Sequence, residues 1–206
     1  MSARDDILAR VRRSLDGARR DVDVPRGYRS APTPDHEAML ALFEERVADY
    51  RAVVVRCAPG DVEARIAEAL PAGARVVVPE GFAWAVPGAV PDEGPGGVLD
   101  AHELDALDAV VTGATVGIAT TGTIVLSHGP GEGRRAITLV PDLHVCVVRA
   151  DQVVPDVPQA VATLDPARPT TWISGPSATS DIELDRVEGV HGPRTLHVLL
   201  VTPPLG

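Results

Sequence analysis

Short apolar runs rich in valine recur along the chain and constrain its fold more than any other feature. We predict core strands over residues 52–57, 74–79, 107–112, 143–149, 170–174 and 196–202. Segments with helical periodicity or helix-capping signals separate them, and we predict helices over residues 5–20, 35–49, 60–70, 157–164 and 180–188. This alternation is typical of a parallel core sheet with helices on both faces. The predicted fold class is therefore α/β.

Three further β-prone runs occupy the middle of the chain, at residues 116–119, 123–127 and 136–141. A Thr-Thr-Gly turn and a glycine-rich segment divide them, which favours antiparallel pairing of the hairpin type. Residues 80–100 are rich in glycine and proline, and we expect a loop there with one turn of helix. The central sheet is thus predicted to be mixed, with an added hairpin.

The first 34 residues differ from the rest of the chain. The first predicted helix places apolar residues at helical spacing among charges, whereas residues 21–34 lose this periodicity and contain three prolines. A chain of 206 residues suits one domain with additions. We expect an N-terminal helix and linker arm over residues 1–34 and a single α/β domain over residues 35–206.

Charge and hydropathy exclude several classes of partner. The formal net charge is −10, which argues against a nucleic acid or an anionic membrane surface as partner. The N-terminal residues contain no apolar segment typical of a secretory signal, and no apolar stretch approaches the length of a membrane span. We expect a cytoplasmic protein without membrane insertion.

Two compositional features limit the cofactors. The sequence contains no lysine, which excludes a Schiff base, a pyridoxal-phosphate anchor and a P-loop nucleotide site. Its two cysteines, Cys57 and Cys146, lie in apolar runs typical of buried strands, and an iron–sulfur cluster held by this chain alone needs about four ligands. The six histidines show no metal-ligand spacing. We expect no metal site, and the identity of any other cofactor stays open.

Two neighbouring segments carry residues suited to binding an anion. Thr121, Gly122 and Thr123 form a turn of small and hydroxyl residues, which indicates either a tight hairpin with packed glycines or a ligand loop. Arg134 and Arg135 follow a glycine-rich segment and could bind an anionic group bidentately. A solvated loop end is the alternative for the two arginines.

A carboxylate and an imidazole lie two residues apart at Asp142 and His144. If the stretch is extended, both side chains lie on one face and could share a proton or a ligand, so that they are the candidate catalytic pair. The alternative is a turn at a strand start with a surface histidine.

A strand end, a glycine turn and a helix start follow one another after residue 172, which is the usual place for an anion in α/β sheets. Ser180 and Glu183 also fit a capping box, a purely structural explanation, and the acidic residues would repel a phosphate unless an arginine compensates. The candidate ligand-binding residues of this region and the turn before the last strand are Ser174, Gly175, Ser177, Asp181, Glu183, His191 and Arg194.

Several long motifs in the second half resemble one family. They are Thr-Gly-Thr-Ile-Val-Leu at 121–126, Gly-Pro-x-x-Gly-Arg-Arg at 129–135, Leu-Val-Pro-Asp-x-His-x-Cys-Val-Val at 139–148, Trp-Ile-Ser-Gly-Pro-Ser-Ala-Thr-Ser-Asp-Ile-Glu at 172–183 and Val-x-Gly-Val-His-Gly-Pro-Arg at 187–194. The sequence resembles the lactate utilization protein C family, also called the LUD domain, strongly over residues 105–201 and in layout only before them.

The resemblance implies a Rossmann-like α/β sandwich similar to the sugar-phosphate isomerase and CoA-transferase folds. It also implies a role in the oxidation of L-lactate to pyruvate, alongside two iron–sulfur partner proteins. Thr120 stands where family members often have glutamate, the residue type that CoA transferases of related fold use as nucleophile, which argues against acyl transfer.

Three hypotheses follow, and whether the protein is an enzyme stays open. The favoured one is an accessory subunit of a lactate-oxidising system that binds a small anionic metabolite and works with iron–sulfur proteins. The alternative is a stand-alone enzyme, isomerase-like or cyclo-ligase-like, that acts on a phosphorylated or carboxylated metabolite with Asp142 or His144 as base. The third is a structural or regulatory partner.

Overall fold

The chain forms two compact units, Met1–Pro32 and Thr33–Gly206. The computed structural model describes residues 2–18, 23–25, 27, 34–94, 97–175 and 192–203. In the first unit, helix α1 spans Ala3–Ser14. The Ser2 hydroxyl accepts a hydrogen bond from the amide of Asp5, and the Asp5 carboxylate accepts one from the amide of Ser2, which caps the helix. The predicted first helix is confirmed, and it ends earlier than residue 20.

The second unit alternates strands and helices along most of its described length. The helices are α2 (His36–Asp49), α3 (Val62–Ala69), α4 (Ala101–Asp105) and α5 (Val157–Thr163). The strands are β1 (Val53–Cys57), β2 (Val76–Val78), β3 (Val90–Pro91), β4 (Glu93–Gly94), β5 (Gly97–Val98), β6 (Ala109–Thr112), β7 (Val116–Ile118), β8 (Thr123–Leu126), β9 (Leu143–Arg149), β10 (Val153–Val154), β11 (Thr171–Ile173) and β12 (Thr195–Val201). Among the described residues, no helix is long and apolar enough to cross a membrane.

Six strands form an entirely parallel sheet in the order β1-β12-β9-β6-β2-β3. A second sheet has the order β10-β7-β8-β11, in which β7 and β8 form the antiparallel hairpin that the sequence predicts. The α/β class is confirmed. The predicted mixed central sheet is wrong: the first sheet is parallel throughout, because the β7–β8 hairpin pairs with β10 and β11 in the second sheet instead of adding to the first. Because the strands of the first sheet are parallel, all of them end at one edge, here called the carboxyl edge, and begin at the opposite amino edge.

Strand β9 shows why the parallel sheet is buried on both faces. Cys146 and Val148 point into a core shared with α2 and the second sheet, where Phe43 is completely buried. Val145 and Val147 point to the opposite face and pack with residues of α3. Such strands are apolar without alternation, which is the pattern that made them recognisable in the sequence.

Two local predictions are wrong. Residues 136–141 do not form a strand: Arg135–Thr138 is a 3₁₀ helix, because Ile137 packs into a cluster with Val77, Leu104 and Val110 rather than pairing with a strand. Residues 80–100 contain three short strands, and the expected helical turn begins only after them, as α4. The predicted helix over 180–188 lies outside the described residues.

Candidate functional site

The carboxyl edge is organised by residues 127–134, here called the glycine loop. The amide of Gly131 donates a hydrogen bond to the carbonyl of Glu80 (2.7 Å), and the carbonyl of Gly131 accepts one from the amide of Gly113 (2.7 Å). Glu80 follows β2 and Gly113 follows β6, so that the loop joins the ends of two parallel strands. Gly131 has a φ of 77°, and a Cβ there would lie 3.2 Å from the carbonyl oxygen of Gly81. The close approach of the two loops therefore requires glycine.

His128 fixes the start of the same loop. Its φ is 54°, a conformation that non-glycine residues adopt only occasionally. The ring Nδ1 lies 2.8 Å from the carbonyl oxygen of Gly133, and Nε2 lies 2.9 Å from the hydroxyl of Thr171 on β11. Because a carbonyl oxygen only accepts, Nδ1 carries a proton and donates it. The second sheet thus holds the loop through a side chain.

A cavity of about 180 Å³, here called the inner cavity, lies between the glycine loop and the ends of β6 and β9. Its lining residues are Gly81, Phe82, Ala83, Trp84, Gly113, Ala114, Pro130, Gly131, Glu132, Val147, Arg149 and Gln152. The rings of Phe82 and Trp84 pack edge to face with centroids 5.4 Å apart. A crevice outside the carboxyl ends of parallel strands is the general position of ligand sites in open α/β sheets.

Glu132 lines this cavity and is buried, with 8% of its surface exposed. Its Oε1 accepts a hydrogen bond from the hydroxyl of Thr115 (2.6 Å), and its Oε2 accepts one from the amide of Ser127 (2.5 Å). Among the described residues, no arginine or histidine forms an ion pair with it. A buried acidic side chain is an unusual feature in a protein, and its place at a crevice makes Glu132 a functional candidate.

Arg149, a basic residue, also lines the inner cavity. Its side chain is half exposed. Its Nε donates to one carboxylate oxygen of Asp151 at 3.0 Å, and its Nη2 donates to the other at 3.4 Å. The Asp151 side chain is 71% exposed, so that this ion pair is solvated and weak. The inner cavity therefore combines an acidic group, a basic group and an aromatic wall.

A second cavity of about 460 Å³, here called the outer cavity, lies on the other side of the glycine loop and also contacts Gly81 and Pro130. Arg134 lines it, but its guanidinium donates to both carboxylate oxygens of Asp92 (2.8 and 2.7 Å) and to the carbonyl of Leu99. The Asp92 side chain is only 3% exposed, and this pairing raises the pKa of Arg134. Arg134 therefore serves to neutralise a buried carboxylate.

Five predicted ligand residues lie together at a different place, near the C-terminal end of α2. Hydroxyl contacts connect Thr121 with Thr123 (2.7 Å) and Thr123 with Ser174 (2.8 Å). The Tyr50 hydroxyl donates to the carbonyl of Gly122 (2.7 Å), and Gly175 lies against the Tyr50 ring. Burial raises the pKa of Tyr50.

The turn requires glycine at position 122. Its φ is 62°, and a Cβ there would lie 2.7 Å from the carbonyl carbon of Arg46 in α2. The close approach is therefore between the turn and a helix of the same chain. The Thr120 hydroxyl, just before the turn, donates to the Asp156 carboxylate that caps α5 (2.9 Å).

His144 lies in the core, with 1% of its surface exposed. Its Nε2 lies 2.8 Å from the hydroxyl of Thr112 on the neighbouring strand. Burial, and then the charge of Arg135, lowers the pKa of His144 to about 4. On the same face, burial raises the pKa of Cys146 to about 12. These side chains form a neutral polar cluster inside the sheet.

Asp142 lies outside β9, at the amino edge, and is exposed. Its carboxylate oxygen is 3.6 Å from Nε of Arg194, with about two thirds of each side chain exposed. Both residues line a third cavity of about 660 Å³ at the amino edge. Asp142 and His144 are thus close in sequence, but one is solvated and the other is in the core. Ser177, Asp181, Glu183 and His191 lie outside the described residues.

The structure therefore distributes the predicted site residues over several places, and their roles in binding or catalysis stay predictions. Sequence reasoning missed Glu132, Arg149 and the aromatic pair at the inner cavity. The glycine-rich segment that contains Glu132 is a signal in the sequence for this site, since it predicts a close approach of backbone there. In the described part of the chain, no group of three or more potential ligand side chains could hold a metal ion.

The fold and site define an α/β protein with a parallel sheet and a small polar cavity at its carboxyl edge. The model of the LUD domain family matches residues 97–201, about half of the chain. Lactate utilization protein C of Deinococcus radiodurans is 44% identical over 208 residues, which cover 97% of this chain and 95% of that protein. The chain belongs to the LUD domain family.

Other relatives match over shorter lengths. An uncharacterized protein of Neisseria meningitidis is 39% identical over 102 residues, 47% of this chain and 43% of that protein. Lactate utilization protein C of Bacillus pumilus is 40% identical over 92 residues, 40% of this chain and 38% of that protein. The crystal structure of a DUF162 family protein from Deinococcus radiodurans superposes with a TM-score of 0.70 at 38% identity, covering 82% of this chain and 99% of that one.

Proposed function

We propose that this protein is a component of a lactate utilization system, in which it supports the oxidation of L-lactate to pyruvate as a subunit that binds a small anion. The observation that carries the proposal is the 44% identity with a lactate utilization protein C over 97% of the chain. A likeness that extends over nearly both whole chains supports a shared role better than a match to one domain does.

The same proposal assigns the redox centre to iron–sulfur partner proteins. The chain has two cysteines, and both are buried in the parallel sheet. Cys57 belongs to the core on one face of the sheet and Cys146 to the core on the other face. Two thiols on opposite faces cannot ligate one cluster, which supports a division of labour in which partners carry the electrons.

The alternative, a stand-alone enzyme acting on a phosphorylated or carboxylated metabolite, depends on Asp142 or His144 as base. His144 lies in the core, where burial lowers its pKa. Asp142 is a solvated residue at the amino edge. These positions favour the subunit over this alternative. Cytoplasmic localisation stays a prediction.

The test is deletion of the gene from its host, followed by measurement of L-lactate oxidation in cell extracts and of growth on L-lactate. We expect both to be lost, to return when the intact gene is supplied, and growth on pyruvate to be unaffected. Lactate oxidation at the parental rate in the deletion strain would contradict the proposal.

A further inference from the structure

The hydrogen-bond acceptor positions of Glu132 indicate which ligand groups the inner cavity can bind. A carboxylate has about four lone-pair positions, and the described structure supplies one donor to each oxygen. Glu132 lines the cavity although the residue is more than nine-tenths buried. A ligand with a hydroxyl donor could therefore complete the hydrogen bonding of a charge that is otherwise poorly compensated.

Arg149 supplies the complementary group. Its contact with Asp151 is a solvated ion pair, which contributes little and can be exchanged for a ligand carboxylate. A guanidinium binds a carboxylate through two parallel hydrogen bonds, a geometry that fixes the orientation of the bound molecule. The cavity thus offers an acceptor for a hydroxyl and a donor for a carboxylate.

The size and the wall of the cavity limit the rest of the molecule. The cavity is small, with a volume of about 180 Å³. The Phe82–Trp84 pair forms an apolar wall, which favours a methyl or another short alkyl group. A molecule with three or four carbon atoms fits these limits.

We propose that the inner cavity binds a short-chain 2-hydroxy carboxylic acid, with Glu132 accepting the hydrogen bond of its hydroxyl and Arg149 binding its carboxylate. The choice of this class rests on the proposed function, whereas the location of the pocket rests on the geometry alone. Binding forms and breaks no covalent bond.

The first test uses the fluorescence of Trp84 in the full-length protein. The chain has two tryptophans, and Trp172 is an exposed residue of β11, so W172F leaves Trp84 as the only reporter. L-Lactate is titrated beside propionate, which lacks the hydroxyl, and 1,2-propanediol, which lacks the carboxylate. We expect saturable quenching by lactate, about tenfold weaker binding of propionate and no response to the diol.

The second test separates the two side chains. R149Q should weaken lactate and propionate alike by about tenfold or more, whereas E132Q should weaken lactate and leave propionate unchanged. R65Q and E68Q are matched controls, since Arg65 and Glu68 form an exposed ion pair in α3; both should bind as the parent does. Circular dichroism verifies that each variant folds. If E132Q does not fold, the comparison of lactate, propionate and 1,2-propanediol on the parent protein tests the proposal.

The proposal is overturned if Trp84 does not respond to L-lactate up to about 10 mM, which lies above the usual range of substrate affinities. It is also overturned if the parent binds propionate as well as lactate. The deletion experiment distinguishes this failure from failure of the proposed function. If the deletion strain loses lactate oxidation but the protein does not bind lactate, the proposed function stands and the proposed ligand of the inner cavity is wrong. If the protein binds lactate but the deletion strain oxidises lactate normally, the proposed function is wrong and the ligand assignment stands.

Discussion

The two edges of the parallel sheet both carry an arginine–aspartate pair beside a cavity. The two pairs differ in their exposure to solvent and in the distance between their charged groups. At the amino edge, Asp142 and Arg194 are 3.6 Å apart and about two thirds exposed. At the carboxyl edge, Arg134 contacts Asp92 at 2.7 Å, and the Asp92 side chain is 3% exposed. A solvated pair contributes little, whereas a buried one fixes the local structure. The comparison places the organised polar site at the carboxyl edge.

The largest expected effect is the loss of stability on replacing Gly133 at the carboxyl edge, compared with the same change at Gly73 of the amino edge. Gly133 has a φ of 69°, and a Cβ there would lie 2.5 Å from Ile137 Cδ1 and 2.8 Å from Pro79 Cβ. G133A should lower the free energy of unfolding by about 3 kcal/mol, from both overpacking and backbone strain. Gly73, before β2, has a φ of 77° and open space around it, so G73A should cost only about 1 kcal/mol. Urea denaturation measures both, and equal costs would contradict the tight packing of the glycine loop.

The second prediction concerns the pH dependence of stability that follows from the burial of His144. The pKa of His144 is lowered to about 4 in the folded state, against 6.5 ordinarily, so that the unfolded chain binds the proton more readily. The contribution of neutral His144 to the free energy of unfolding is fully present above pH about 6.5. It is lost as the pH falls towards 4, by up to about 3 kcal/mol. Urea denaturation from pH 7 to 4 should show this slope in the parent and a smaller slope in H144Q. An unchanged slope in the variant would show that His144 titrates normally.

The third prediction compares the two aspartates directly. D92N leaves the guanidinium of Arg134 facing a neutral side chain in a largely buried position, and we expect a loss of about 2 kcal/mol. D142N changes a solvated pair and should shift the free energy of unfolding by less than about 0.5 kcal/mol. Thermal denaturation of the two variants beside the parent measures the difference. Similar losses would remove the distinction between the edges.

The sequence predicted the elements that are fixed by continuous apolar runs. Strand β9 was predicted with its observed limits, and β12 within one residue, because strands buried on both faces are mostly apolar and do not alternate with polar residues. The segment around Ile137 has a similar composition, but it packs as a 3₁₀ turn against other strands, and only tertiary contacts decide this. Local pattern reports burial better than it reports strand pairing.

The site was harder to predict because its polar groups are organised by contacts between distant segments. Arg134 looked like a free anion-binding residue until Asp92, 42 positions earlier, proved to be its partner. The Glu132 carboxylate accepts a hydrogen bond from Thr115, 17 positions earlier, a contact that the glycine-rich motif around Glu132 does not predict. The motif locates the site, whereas the roles of its residues require the fold.

The most direct test of the account compares the two edges in the deletion strain. Genes for E132Q, at the carboxyl edge, and R194Q, at the amino edge, are supplied in turn, and L-lactate oxidation is measured at matched protein abundance. The account predicts that R194Q restores oxidation to the parental rate and that E132Q does not. Restoration by E132Q, or failure of R194Q alone, would contradict the assignment of the functional site to the carboxyl edge.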